Sequence, residues 1–542
     1  MRVVAVIVVG VVASCQERAT PKLQPIAANS PGSAEAGLPA APQRRDLAPP
    51  AVHDYAMPLR RAESIELVVT QVGIDVVVEA FGPDGKLVAS VDSPNGNHGD
   101  ESLELIAATD GNHRLVVRSL EPGAPAGQYR IAVIARRDVA ATQARVAERA
   151  RARADAASWF AARAGAIGAD FAGPGIARFE ALAKHARVIG LGEATHGSRQ
   201  LADLRVSLVR RLVERHGTRA IALEGSAARF RQIDRWARRA GDDAELERLY
   251  GSQWINRRAF LGLARFVRGW NRAHRTDPVR LVGVDPIDNA PARALLAGLA
   301  DFVEPELLAR IAAADADALA FRRTTVAAAD WKVLRALAAQ LEADRARLVK
   351  RSGAERAEDV IAAARTLAQF AELNTDTREP TRSRDAFMAA NLLAVLGRSR
   401  AVFLAHDAHV AHPPDRMGSA GGILREALQS EYASIATAFG EGGFVAQVAG
   451  DATGKRATFA VPAAAPTSID GVLRAMGRGD AIATWPEGAG DAPPWLRVPQ
   501  PMYWVGGLFA TGWQPSQWTR PCQLVVDHDG VVFLERVAAE AL

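Results

Sequence analysis

Two short blocks of this 542-residue chain set polar side chains three positions apart: Glu193-Ala194-Thr195-His196 and His406-Asp407-Ala408-His409. Where the chain turns into a helix or a tight loop, that spacing brings both members of a pair to one side. Imidazole is the natural general base near neutral pH, and a neighbouring carboxylate fixes its tautomer and raises its proton affinity. Gly192 and Gly197 bracket the first pair and allow a sharp turn with close backbone approach to a ligand. Together with Glu224, the set holds three histidines and two glutamates, which suits attack by an activated water. No cofactor is expected for that chemistry. The rival reading is a divalent metal held by His196, His406, His409 and the two glutamates, although the chain has no His-Glu-x-x-His helix. A serine nucleophile is disfavoured, because no Gly-x-Ser-x-Gly elbow follows the apolar runs nearby, and Ser198 reads as a helix N-cap.

Four short apolar runs must position these groups: 187–192, 219–223, 280–284 and 400–405. Each is continuous rather than alternating, as in strands buried on both faces of a parallel sheet. Each is followed at once by an ionisable residue, Glu193, Glu224, Asp285 and His406 in turn. The carboxyl ends of parallel strands converge on one crevice, so the four are expected to face the same cavity. One acid after a strand is commonly only a cap, and Asp285, followed by Pro286, also suits a turn. In the next helix Leu201, Leu204, Leu208, Val209 and Leu212 form an apolar stripe that includes Arg205. A buried guanidinium there needs a carboxylate, Glu193 or Glu224, unless it lies at the edge of the stripe and reaches water. Arg199, outside the stripe, is either a surface residue or, with Asp285 and Trp254, a substrate contact. Trp270 and Trp504 are further apolar candidates, with core packing as the plainer fate of any tryptophan. Nearly uninterrupted helical pattern over about 290–396 reads as an insertion that walls the cleft.

A chain of this length holds two or more domains. Hydrophobic residues at 49% and charged residues at 23% place it among globular proteins. Its 66 basic and 61 acidic residues are nearly balanced, which argues against a nucleic-acid partner. Arg2, the apolar run Val3 to Ala13, and Ser14 before Cys15 outline an export signal over residues 1–15. Val12-Ala13-Ser14-Cys15 resembles a bacterial lipobox, so Cys15 is the expected lipidation site. The membrane is then a partner only through that anchor, and the expected address is the cell envelope, on the periplasmic face of the outer membrane. With Cys15 lipidated, Cys522 has no partner for an intrachain disulfide. Residues 16–52, rich in Ala and Pro, read as a disordered tether. Over 53–138 the period changes to two, with turns such as Pro83-Asp84-Gly85, the mark of a small β-sandwich with an accessory role. From 140 to 540 helical patterns alternate with the apolar runs. The fold class is therefore α/β, a mostly parallel sheet with flanking helices and a helical insertion, preceded by an all-β sandwich. Nothing in the sequence sets an oligomeric state.

The block Gly190-Leu191-Gly192-Glu193-Ala194-Thr195-His196-Gly197-Ser198-Arg199 resembles the opening signature of the erythromycin esterase family. Ala222-Leu223-Glu224, Gly283-Val284-Asp285, the 405–410 block, Met417-Gly418-Ser419 and the 439–442 block follow in the same order. The resemblance covers about 145–537. It implies hydrolysis of a small-molecule ester or lactone by activated water, without a covalent acyl-enzyme. In that picture His196 is the general base, Glu193 and Glu224 orient it and the water, and Arg205 belongs to the same polar cluster. His406 and His409 bind or polarise the carbonyl and its oxyanion. Asp407 stands where the family commonly has Asn. The β segment resembles the bacterial pre-peptidase C-terminal domain type through Asp75, the Asp84-Gly85-Lys86 turn and Gly127-Gln128-Tyr129. A non-catalytic envelope ligand-binding protein that keeps the cleft is the reading outside enzymology.

Overall fold

The computed structural model describes residues 36–541 except 94–95, 240–241, 252–255, 300–302, 321–323, 376–382, 414–417, 452, 486–487 and 514. The export signal, Cys15 and Trp254 lie outside the described residues. The chain divides into two compact units, with one boundary at 154/155 inside the helix Val139–Arg163 and residues 514–517 grouped with the first.

The first unit is two facing sets of strands. One sheet has the order Ala36–Gly37, Val52–Leu59, Gly111–Ser119, Val76–Phe81, Leu87–Val91, and the other Gln43–Leu47, Gly127–Arg137, Ser64–Val72, His98–Ile106. Alternation does what period-two sequence requires: Ile65, Leu67 and Val69 point into a core with Val76, Val78, Leu115, Val117 and Ile131. Residues 16–35 of the expected tether lie outside the described residues, and its later part needs correction, since Gln43–Leu47 pairs antiparallel with Gly127–Arg137. Its sequence hid this because Leu47 is the strand's one fully buried side chain, and backbone hydrogen bonding to a sheet edge needs little apolar content. The helix also starts with this unit: Ser64 Oγ and Thr142 Oγ1 lie 2.9 Å apart, and Arg149 pairs with Glu104.

The second unit is built on an eight-stranded sheet. Its order is Ala164–Ala166, Ala481–Thr484, Gly530–Leu534, Tyr432–Phe439, Val188–Leu191, Arg400–Leu404, Thr218–Ser226, Arg280–Asp285. The sheet is mixed rather than mostly parallel. Pairings from Gly530–Leu534 to Arg280–Asp285 are parallel, but Ala481–Thr484 is antiparallel to both its neighbours. The edge strand Ala-Gly-Ala carries no β-branched or aromatic residue, and its neighbour Ala-Ile-Ala-Thr is only four residues long, so neither announces itself.

Both faces of the sheet are covered, which is why the strand sequences do not alternate. Ile189, Leu191, Ile221 and Val402 pack with Phe179, Leu208, Leu212 and Trp236, whereas Val188, Ala220, Ala222 and Phe403 pack with Met388, Leu392 and Leu424. The helix Arg199–His216 buries Leu201, Leu204, Leu208, Val209 and Leu212, each contributing about 1.5–3 kcal/mol. Ser198 caps its start through the Leu201 amide, and Gly217 ends it at φ 66°, a left-handed conformation that favours glycine. Within the expected insertion, Ala290–Ala297, Pro305–Leu319, Ala328–Ala343 and Ala354–Leu373 share a separate apolar core. The last helix of that stretch, Arg384–Leu396, belongs to the sheet instead, through Met388, Ala389, Leu392 and Leu396.

Candidate active site

The strands Val188–Leu191, Arg400–Leu404, Thr218–Ser226 and Arg280–Asp285 are neighbours in the sheet and parallel, so their carboxyl ends deliver Glu193, His406, Glu224 and Asp285 to one region. The loop after Leu191 is pinned by backbone bonds. Ala194 N donates to Thr437 Oγ1 at 2.7 Å, Val505 N to the Ala194 carbonyl at 3.0 Å, and Val445 N to the Gly197 carbonyl at 3.1 Å. A side chain on Gly192 would run into Asp407, and one on Gly197 into the Val445 backbone. Close approach, rather than backbone conformation, requires both glycines.

On that loop Glu193 Oε1 lies 2.6 Å from His196 Nδ1. Its Oε2 accepts from Arg205 and, at 3.3 Å, from Asn256 Nδ2. Arg205, buried in its helix stripe, also donates to the carbonyls of Leu191 at 3.1 Å and Ala405 at 3.3 Å, joining two strand ends to the carboxylate. Its carboxylate partner is thus Glu193, not Glu224.

Glu224 serves the other half. A register shift between Leu223 and Ser226 interrupts its strand's ladder, and its Oε2 accepts from the His406 amide at 2.8 Å while Oε1 accepts from Arg384 at 2.7 Å. Arg384 also grips Asp285, with Nε 3.1 Å from each carboxylate oxygen. His409 Nε2 lies 3.3 Å from Arg384 and 3.4 Å from Glu224, and its Nδ1 is 2.8 Å from Asp385. Burial by itself would raise the Glu224 carboxyl, but the charges of His409 and Arg384 outweigh it and hold the group well below the usual carboxylate range. For Asp285 burial wins over Arg384 and the value moves up.

His406 is fully buried, and burial followed by the nearby charge of His196 pushes its proton affinity well below the ordinary imidazole range. Its Nδ1 accepts from the Ala408 amide at 3.4 Å, capping the short helix Asp407–Val410. That places the proton of the neutral ring on Nε2, and a hydrogen bond with the Val505 backbone offsets a small part of the downward shift. The His406 ring centroid is 5.2 Å from that of His196 and 5.0 Å from that of Trp504. Asp407 points the other way, accepting from the Thr437 amide at 3.0 Å, and burial holds its carboxyl well above the usual range.

These groups border a cavity of about 380 Å³, lined at its polar part by Glu193, His196, Glu224, Arg384, His406 and Trp504. Arg205 and Asn256 line it too. The remaining sequence candidates fall elsewhere. Asp285 and His409 stand behind the lining with their polar atoms engaged by Arg384 and Asp385, so neither is placed to touch a substrate. Arg199 is exposed at the start of its helix, and Trp270 stacks on His274 with centroids 3.8 Å apart. Among the described residues no group of three or more His, Cys, Asp or Glu side chains is arranged to hold a metal ion.

Sequence reasoning missed Arg384, Asp385 and Asn256. Charge balance was the available signal, because three buried acids at strand ends with one nearby guanidinium demand a second cation. Ser383-Arg384-Asp385, a capped helix start, was the place to look. Asn256 sits at φ 64°, a conformation Asn tolerates better than most residues, but no local pattern ties it to Glu193.

Residues 213–537 match the family model described as erythromycin esterase, a span that starts after His196 and includes Glu224, Arg384 and His406. An Escherichia coli protein, erythromycin esterase type I, is 32% identical over 127 residues, covering 22% of this chain and 29% of that relative, so the chain spans less than a third of its length. A solved Bacillus cereus protein shares the fold at 18% identity, with a TM-score of 0.55, over 72% of this chain and 98% of its own. The pre-peptidase C-terminal domain of a Bacillus anthracis collagenase is similar over 19% of this chain and 98% of that domain, at 20% identity and a TM-score of 0.15.

Proposed function

The chain belongs to the erythromycin esterase family of hydrolases, and from that premise we propose that it cleaves a carboxylic ester or lactone with a water activated by His196. The observation that carries this reading is the 2.6 Å contact of Glu193 with His196 Nδ1 at the edge of the cavity. Nδ1 is held by a carboxylate, so Nε2 is the atom that takes the proton from water. Glu193 then balances the imidazolium, and Arg205 fixes Glu193 in place. As the hydroxide adds to the carbonyl carbon, charge grows on the carbonyl oxygen, and the Nε2 proton of neutral His406 and the Arg384 guanidinium are the donors that meet it. The carbon–oxygen bond then breaks, and His196 returns its proton to the departing alcohol.

Purified protein is to be assayed against simple aryl esters and against erythromycin, the lactone in the relative's name. His196→Ala is expected to lower kcat by about 10²–10⁴, the range of general base catalysis, with Glu193→Gln following it. Unchanged turnover in His196→Ala would defeat the reading. Loss of wild-type activity in chelator, restored by zinc or manganese, would favour the metal hydrolase instead.

A further inference from the structure

The polar cluster occupies one part of the cavity, Gln447 and Arg456 border it as well, and a further part is lined by Phe230, Phe260, Leu263, Ile287, Leu319 and Phe370. These come from four helices, Ala227–Arg238, Arg257–Ala273, Pro305–Leu319 and Ala354–Leu373, and from the turn after the strand Arg280–Asp285. Leu263 and Phe370, 1% and 0% exposed, both border the void, so the wall of this apolar lobe is built from core side chains. Phe230 meets Phe260 edge to face at 5.2 Å, and Tyr250 stacks on Phe260 at 4.6 Å, which makes one wall rigid and aromatic. Apart from the Tyr250 hydroxyl, the side chains of this wall offer no donor or acceptor. Asn374, which also borders the void, donates its amide nitrogen to the Phe370 carbonyl at 2.9 Å.

We propose that this lobe takes a hydrocarbon group of the substrate, an aliphatic chain or an aryl ring without hydroxyls, so that the natural substrate is an ester of a lipophilic acid or alcohol. A polyhydroxylated group entering the lobe would leave most of its hydroxyls without partners among these walls, whereas an apolar cavity readily accepts an apolar guest. The whole cavity, polar part included, measures about 380 Å³, within the range of small-molecule pockets of about 300–1,000 Å³. The chemistry is that already described: water adds, the ester C–O bond breaks, and acid and alcohol leave. Cleavage rests on the hydrolase reading, but occupancy of the lobe does not.

Two ester series test this on the full-length protein: 4-nitrophenyl esters with acyl chains of increasing length, and acetates of alcohols of increasing length. In one series kcat/KM is expected to rise about fourfold per methylene, equivalent to about 0.8 kcal/mol, until the lobe is full. The series that rises identifies the side of the ester that enters. Ala318→Phe, at the lining beside Leu319, is expected to move the optimum to shorter chains, with circular dichroism confirming its fold. Titration of decanoate into His196→Ala by calorimetry reads the lobe without turnover, and binding with a negative heat-capacity change, weakened by adding Ala318→Phe, is expected. Esters cleaved with no dependence on length in either series would overturn the lobe proposal and leave the hydrolase intact. Decanoate bound in this manner, with no ester cleaved, would support the lobe and sink the hydrolase. No decanoate binding would overturn the lobe whatever the turnover.

Discussion

Glu193 uses one carboxylate oxygen for His196 and the other for Arg205, so the orientation of the proposed base depends on a guanidinium one helix away. Replacing Arg205 by Met leaves that buried carboxylate without its cation, and stability is expected to fall by about 3–5 kcal/mol in urea unfolding. A loss under 1 kcal/mol would mean the pair is solvated. Asp470 is a second residue whose ionisation is set by burial, which pushes its carboxyl up to about 7 while Oδ2 accepts from the Tyr503 amide at 2.8 Å. With a raised folded value, the unfolded state releases its proton first as pH rises from about 4, so stability falls between about pH 4 and pH 7 and levels off above. The whole effect is on the order of 4 kcal/mol. Asp470→Asn keeps an acceptor for the Tyr503 amide and is expected to flatten the dependence of urea midpoint on pH across that window. The acids at the strand ends and Arg205 were legible in the sequence, because each sits at a fixed offset within a strand or stripe. Arg384 was not, because it meets Glu224 across 160 positions and no periodicity reaches that far.

Elements position the site chiefly through backbone packing around the 192–198 loop. Gly197 lies so close to the Val445 backbone that an added methyl group cannot fit without moving the strand Gly442–Val448. Gly197→Ala is expected to cost about 1–3 kcal/mol or more in thermal unfolding and to lower kcat with it, since His196 is the preceding residue. A variant with wild-type melting and activity would show that the loop yields. Four strand runs, the capped helix Arg199–His216 and the helical stretch before Arg400 followed from periodicity and caps. The helix Arg384–Leu396 reads as more of the insertion by composition. Its packing against the sheet rather than the insertion core depends on which apolar face finds a partner. The edge strands Gln43–Leu47 and Ala164–Ala166 escaped because edge pairing is carried by backbone hydrogen bonds, to which side-chain patterns are nearly blind.

At the scale of the whole molecule, two units with separate apolar cores are expected to unfold separately. All ten tryptophans lie at or after Trp159, so their fluorescence reports the second unit, while far-ultraviolet circular dichroism reports both. Urea titrations followed by the two signals are expected not to coincide, and coincident curves would show a single cooperative system. By itself the sequence determined the two-unit division, the α/β class of the larger unit and the strand-end placement of Glu193, Glu224, Asp285 and His406. Such features arise from periodicity, caps and turns, physics that acts over a few residues. Only the tertiary structure decided that His406 faces the cavity while His409 and Asp285 stand behind it, that Arg384 supplies the missing charge, and that an apolar lobe adjoins the polar cluster. Those outcomes depend on which buried charges and which apolar faces meet once distant segments have packed, because desolvation makes each partner obligatory without marking it in the chain.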